Sequence, residues 1–276
     1  KHIWANVSGE EFQFSQFNIE PVGSGPYQLQ NIERNGSGIP LYYRLEAFDD
    51  YVFGAPLIKR LLIRFYQNNG DVLSAYENGS IDSLANISPQ QASTIQKAGG
   101  RGETAPLPRI FAVFFNQNHT PLLINKEVRQ ALDVATDKEA VVEQVLGGYG
   151  ISIDSPIPPG LLQKDTALGT TTREYATETE RIAAAKKILE NAKWKFNTEK
   201  NVYEKTVRKK TTTLAFSIST SNAPELKAAA EMLKTMWEKI GASVEVKIFE
   251  IGELNQNVIR TRKYDALLFG EIIGRD

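Results

Sequence analysis

Apolar positions along this chain recur with two different periods. Ile110 to Phe115 is an unbroken apolar run of β-forming residues and predicts a buried strand. Beyond a polar turn ending at Pro121 the period becomes helical. Val128, Leu132 and Val134/Ala135 mark one helix, and Val141, Val142, Val145 and Leu146 mark the next. Asp137 stands where the second helix needs an N-cap, and Gly147-Gly148 supplies its stop. Pro224–Ile240 is the clearest helix, with Leu226, Ala230, Leu233, Trp237 and Ile240 on one stripe and Gly241 at its end. Such a stripe packs into a core. Leu214, Phe216 and Ile218 alternate strictly and predict a half-buried strand; Val244, Val246 and Ile248 predict another. Tyr264–Phe269 reads as a final apolar strand.

The remaining elements follow from turn and cap chemistry. Residues 1–20 form an irregular or short helical lead-in. Strands are expected at Tyr27–Glu33, Leu41–Glu46 and Leu57–Tyr66, with the NGSG of 35–38 turning between the first two. A helix at Asp71–Asn78 ends at Gly79, and Ile81–Leu84 is a short strand. Ser88 caps a helix at Pro89–Ala98, and Gly99–Pro108 is a linker. The first 108 residues therefore read as a mostly antiparallel sheet with covering helices. Three prolines in Ser155–Leu161 preclude regular structure, and Thr166–Thr172 is a second loop. Thr177 or Thr179 caps a helix at Glu178–Ala192, with Ile182, Ala185 and Leu189 on one side. Trp194–Ser219 reads as a β-hairpin with a polar tip near Asn197–Lys200, and residues 252–262 as a polar helix. The fold class is α/β.

Composition narrows the function. A length of 276 residues accommodates two domains, and 41% hydrophobic with 24% charged residues is globular. A net charge of −1 gives no electrostatic case for nucleic acid. The one basic run, Lys205–Lys210 (KTVRKK), reads as a solvated hairpin tip. With no cysteine there is no disulfide, thiol nucleophile or cysteine zinc site. His2 and His119 are far apart and read as surface residues. No apolar run approaches the ~18 residues of a spanning helix. The PVGSGPYQL stretch at 21–29 is a tight structural turn, because Gln28 stands where a dinucleotide loop needs glycine. No G-x-S-x-G, G-x-x-x-x-G-K-[ST] or convincing S-x-x-K motif is present. The chain is expected not to be an enzyme and to use no metal or cofactor.

Several short strings occur in a telling order: KHIW at 1–4, PVGSGPY at 21–27, SAYENGSID at 74–82, the block from 115 to 150 with its VRQAL and GGYG, PIPP at 156–159 and YDALLFG at 264–270. In that order they resemble the peptide-class (dipeptide and oligopeptide) extracellular solute-binding proteins of ABC importers, family 5. Both ends of the chain fall inside family motifs, so it reads as a segment. The resemblance implies a periplasmic-binding-protein-like fold of type II, with mixed sheets and flanking helices in two lobes. Residues 1–110 would be the returning part of the first lobe and 111–276 the first half of the second. Phe111–Asn116 would cross between them. A peptide would lie extended between the lobes, paired with the backbone of Gly270, Glu271, Ile272 and Ile273. Asp276 would accept its N-terminal ammonium. Asn116, at the crossing, is a further candidate, with a loop hydrogen bond as its other reading. Where the family commonly shows G-W-x-x-D, this chain has G-E-I-I-G-R-D. The implied partners are a peptide or similar small solute and the importer's membrane subunits, with no nucleic acid. The implied state is a monomer outside the cytoplasm. A scaffold or receptor domain that has lost its ligand, and a hydrolase, are the alternatives. The segment alone is expected to bind ligand weakly or not at all.

Overall fold

A computed structural model describes residues 4–5, 7–85, 87–104, 107, 109–157, 175 and 177–273. The expectations for Thr166–Thr172, for the end of the proline run, for His2 and for Asp276 lie outside these residues. The chain divides into two compact units, Lys1–Gln91 and Ala92–Asp276.

The first unit holds an antiparallel meander of β1 (Tyr27–Arg34), β2 (Pro40–Ala47) and β3 (Arg60–Arg64). The NGSG turn forms as predicted. Asn35 Oδ1 accepts from the Ser37 and Ile39 amides at 2.9 and 3.0 Å, and Gly38 takes the positive φ the turn requires. Two helices were expected to cover the sheet. They are present as α1 (Asn69–Glu77) and α2 (Pro89–Lys97), of which α2 runs across the division at Gln91. No described strand residue of the first unit is buried; Ala75 of α1 is its one buried described residue, and Ile95 of α2 falls in the second unit. The strand expected at Ile81–Leu84 is absent. Its first amide donates elsewhere: Ile81 N–H, like that of Ser80 before it, reaches Ala75 O, closing the C-terminus of α1 around Gly79 at positive φ.

The second unit is built on a mixed four-stranded sheet. It comprises β4 (Arg109–Phe115), β8 (Ala215–Ser221), β9 (Ser243–Phe249) and β10 (Ala266–Ile272), in the order β4-β10-β8-β9. β4 and β10 are antiparallel; β10, β8 and β9 run parallel. One face packs on α3 (Lys126–Ala135), α4 (Lys138–Leu146), α5 (Glu178–Asn191) and α6 (Pro224–Lys239). Trp237 of α6 is central there. Its indole N–H is shared between Leu132 O and Thr136 Oγ, 3.0 Å from each, which ties α6 to the end of α3. Opposite, α7 (Ile251–Glu253) winds into a π-helical turn, Leu254–Ile259, and places Leu254 and Val258 on Leu267. The caps are the predicted ones: Asp137 accepts from Ala140 N–H, and Thr177, not Thr179, makes a capping box with Glu180.

Two expectations fail here. β8 is buried on both faces, with Ser217, Ser219 and Thr220 as inaccessible as Phe216 and Ile218. Alternation told the faces apart by polarity, but small hydroxyls with local acceptors also tolerate burial. Nor is Trp194–Ser219 one hairpin. Residues 195–213 form a separate meander of β5 (Lys195–Asn197), β6 (Val202–Val207) and β7 (Lys210–Thr213); past Leu214 the chain joins the main sheet as β8. The partner of a strand is a tertiary fact that local alternation does not encode.

Candidate functional site

β4 and β10 form a ribbon that outruns the rest of their sheet. All seven residues of β4 pair with β10, from Phe115↔Ala266 to Arg109↔Ile272. β8 pairs with β10 only at Ala266 and Leu267. The Thr220 hydroxyl then donates to Leu268 O at 2.9 Å and closes the shared stretch. Beyond it, no strand among the described residues pairs with β10 on the β8 side. Leu268 directs its carbonyl to that side, so by the two-residue period of a strand Gly270 and Ile272 turn their N–H and C=O groups there too. The result is an open main-chain edge. Gly270 adds a close contact: a Cβ built on it would meet the Phe111 ring, its cross-strand partner, at 2.6 Å.

The base of the ribbon is held by polar clamps. Asn116 follows β4 and is buried. Its amide N–H donates to Asp265 O at 2.8 Å, its Nδ2 donates to Arg262 O at 2.8 Å, and its Oδ1 accepts from His119 N–H at 3.2 Å. Asp265 precedes β10 and accepts from both the amide and the hydroxyl of Ser217 at 2.8 Å, and from the Thr120 hydroxyl. His119 Nε2 lies 3.9 Å away. Burial pushes the Asp265 carboxyl up, but the Thr120 and Ser217 donors and the His119 imidazole outweigh it and hold the group below its ordinary value. The loop after β4, the loop before β10 and the centre of β8 are thereby fixed to one another.

Of the residues singled out in the sequence, Gly270, Glu271 and Ile272 stand together at the far end of β10, with Ile273 next to them. Asn116 is at the other end of the ribbon, five residues from the Phe111–Gly270 pair, or roughly 16 Å at about 3.3 Å per residue. Sequence reasoning passed over Asp265, Thr120, Ser217 and Phe111. Asp265 lies inside the quoted YDALLFG string, and its role was legible only once Ser217 and Thr120 were placed around it. Among the described residues no group of three or more His, Asp or Glu is arranged to hold a metal, and no helix is long and apolar enough to cross a membrane.

A family model of bacterial extracellular solute-binding proteins, family 5 Middle, matches residues 2–274. The oligopeptide-binding protein AppA of Bacillus subtilis (strain 168) is 25% identical over 273 residues, which cover 98% of this chain and 48% of AppA. The solved structure of the ABC transporter substrate-binding protein CtaP from Listeria monocytogenes superposes with a TM-score of 0.71 at 24% identity, covering 99% of this chain and 51% of CtaP. NikA from Brucella suis, solved with Fe(III)-EDTA, gives 0.70 at 20% identity, covering 91% and 48%. At such identities the structures establish the fold, which is α/β and of the periplasmic-binding-protein kind, with mixed sheets and flanking helices. The chain spans about half the length of these relatives. A family match that runs nearly end to end, on a fold shared with solved substrate-binding proteins, places the chain in the bacterial extracellular solute-binding proteins of family 5.

Proposed function

We propose that this chain is part of a protein that captures an extended peptide outside the cytoplasm and delivers it, unchanged, to the membrane subunits of an ABC importer. The observation that carries the reading is the open edge of β10. An unpaired strand edge recognises any extended peptide through its main chain and tolerates varied side chains. In this reading the segment Gly270, Glu271, Ile272 and Ile273 lies along the peptide, with Gly270 and Ile272 supplying the open N–H and C=O groups, and Asp276 accepts its ammonium through charge-assisted hydrogen bonds. Asn116 acts through the ribbon it anchors. Residues 1–110 belong to one lobe and 111–276 to the other, with Phe111–Asn116 as the crossing strand. Lobe closure buries the ligand, and the protein works as a monomer. A second reading, a metal chelate or heme as the solute, is favoured by relatives named for nickel and heme.

Calorimetry on the full-length protein tests both. Peptides with a free amino terminus are expected to bind, and N-acetylation to weaken them at least tenfold. Ile272→Pro removes a donor from the open edge and leaves the β4 ladder intact. It is expected to cost about tenfold, the net worth of one hydrogen bond at roughly 1–1.5 kcal/mol. Binding of a nickel chelate or heme with no heat from any peptide would replace the first reading with the second.

A further inference from the structure

The basic run set aside as a solvated tip has more structure than a charge run needs. β5 pairs with β6 only over Val202–Glu204, so beyond Glu204 strands β6 and β7 continue as a bare two-stranded finger. Cross-strand partners share a face. On one face stand Glu204 with Thr213 and Thr206 with Thr211; on the other, Lys205 with Thr212 and Val207 with Lys210. The first face satisfies itself. The Thr206 and Thr211 hydroxyls are 2.9 Å apart, and Glu204 accepts from Lys200 at 2.8 Å and Thr213 at 3.4 Å. The second face carries two cations around Val207, which is 55% exposed.

The turn adds two more. Arg208 and Lys209 both hold positive φ, at 49° and 67°. A two-residue turn of that kind favours Asn-Gly, and bulky L-residues cost more there. None of Lys205, Arg208, Lys209 and Lys210 makes an ion pair with a carboxylate among the described residues. From Lys193 to Thr213 there are seven Lys and Arg against two Glu, in a chain whose net charge is −1. We propose that this finger docks on a bilayer surface rich in anionic phospholipid, with Arg208, Lys209, Lys210 and Lys205 on the phosphates and Val207 entering the headgroup layer. Cations around a protruding apolar side chain match that interface. A phosphate polymer in water would leave Val207 exposed, and the finger offers no aromatic ring on which bases could stack. The proposal is independent of which solute the protein binds.

The test is co-sedimentation of the full-length protein with phosphatidylcholine vesicles, with and without phosphatidylglycerol. Binding is expected only to the mixed vesicles and is expected to fall with added salt. The triple variant Arg208→Gln/Lys209→Gln/Lys210→Gln is expected to lose about a hundredfold in affinity, from about fivefold per cation. Val207→Ser is expected to lose severalfold. The substitutions lie outside any core, and an unchanged thermal midpoint checks that the variants fold. Equal binding to neutral vesicles, an unaffected triple variant, or binding to duplex DNA without binding to mixed vesicles would each overturn the proposal.

Discussion

The Phe111 ring lies against Gly270, its partner across the ribbon, with no room for a Cβ between them. This contact sits where the ribbon leaves the rest of its sheet. Gly270→Ala forces the ring to move. Because Phe111 is half exposed the ring can yield, so the expected loss is about 1 kcal/mol, at the low end for overpacking. Phe111→Ala in the same chain is expected to cancel most of it. A double-mutant cycle from denaturant midpoints measures the coupling; additive losses would show that the ring does not set the size of residue 270.

Asp265 makes a pH prediction. Its carboxyl is held below the ordinary value in the folded chain by Thr120, Ser217 and His119, against the opposing effect of burial. The stability it contributes is present above the unfolded value of about 3.9 and is lost as pH falls through the folded one. Asp265→Asn is expected to lose roughly 1.5–3 kcal/mol at neutral pH, the range for hydrogen bonds to a charged acceptor. Its stability is also expected to decline less steeply than the parent's below pH ~4. Parallel acid unfolding curves for the two proteins would contradict this.

Tyr203 acts in the opposite range. Burial, and then the hydrogen bond its hydroxyl donates to Glu190 Oε1 at 2.8 Å, push the phenol up to about 12. Between the free value near 10 and that figure the unfolded chain has lost a proton the folded chain keeps. Stability therefore drops as pH rises through this window. Tyr203→Phe is expected to lack that component, and alkaline unfolding of both proteins, compared by circular dichroism, reads the difference.

Trp237 tests the tie between α6 and α3. Trp237→Phe keeps a ring beside Phe216 and Phe115 but removes the N–H shared by Leu132 and Thr136. A loss of about 1–3 kcal/mol is expected, combining the donor and the smaller ring. Thr136→Val is expected to cost less, because the indole retains Leu132 O as acceptor. Chemical denaturation ranks the two; a larger loss for Thr136→Val would place the tie elsewhere.

How much of this was legible differs by element. The α6 stripe, Asp137 as a cap and the stop at Gly147 followed from spacing and cap chemistry, which act within a few residues. The motif order led to the family before any coordinate was needed. Where the reading failed, a partner outside the segment decided, nearby in the first case and distant in the others. Ser80 and Ile81 gave their amides to α1, Thr213 ended one sheet while Ala215 began another, and Asp265 found its donors on β8 and beyond β4.

By itself, then, the chain set the kinds of elements, most of their ends and the family. Periodicity, caps and turn residues are short-range physics and are written in order along the sequence. Tertiary structure decided which strands became neighbours, that both faces of β8 would be covered, and that β10 would run past β8 with its main chain unpaired. Those outcomes depend on hydrogen bonds and apolar contacts between segments far apart in the chain, such as Thr220 with Leu268, Leu132 with Trp237 and Thr120 with Asp265, which are 48, 105 and 145 residues apart. No local window contains both partners.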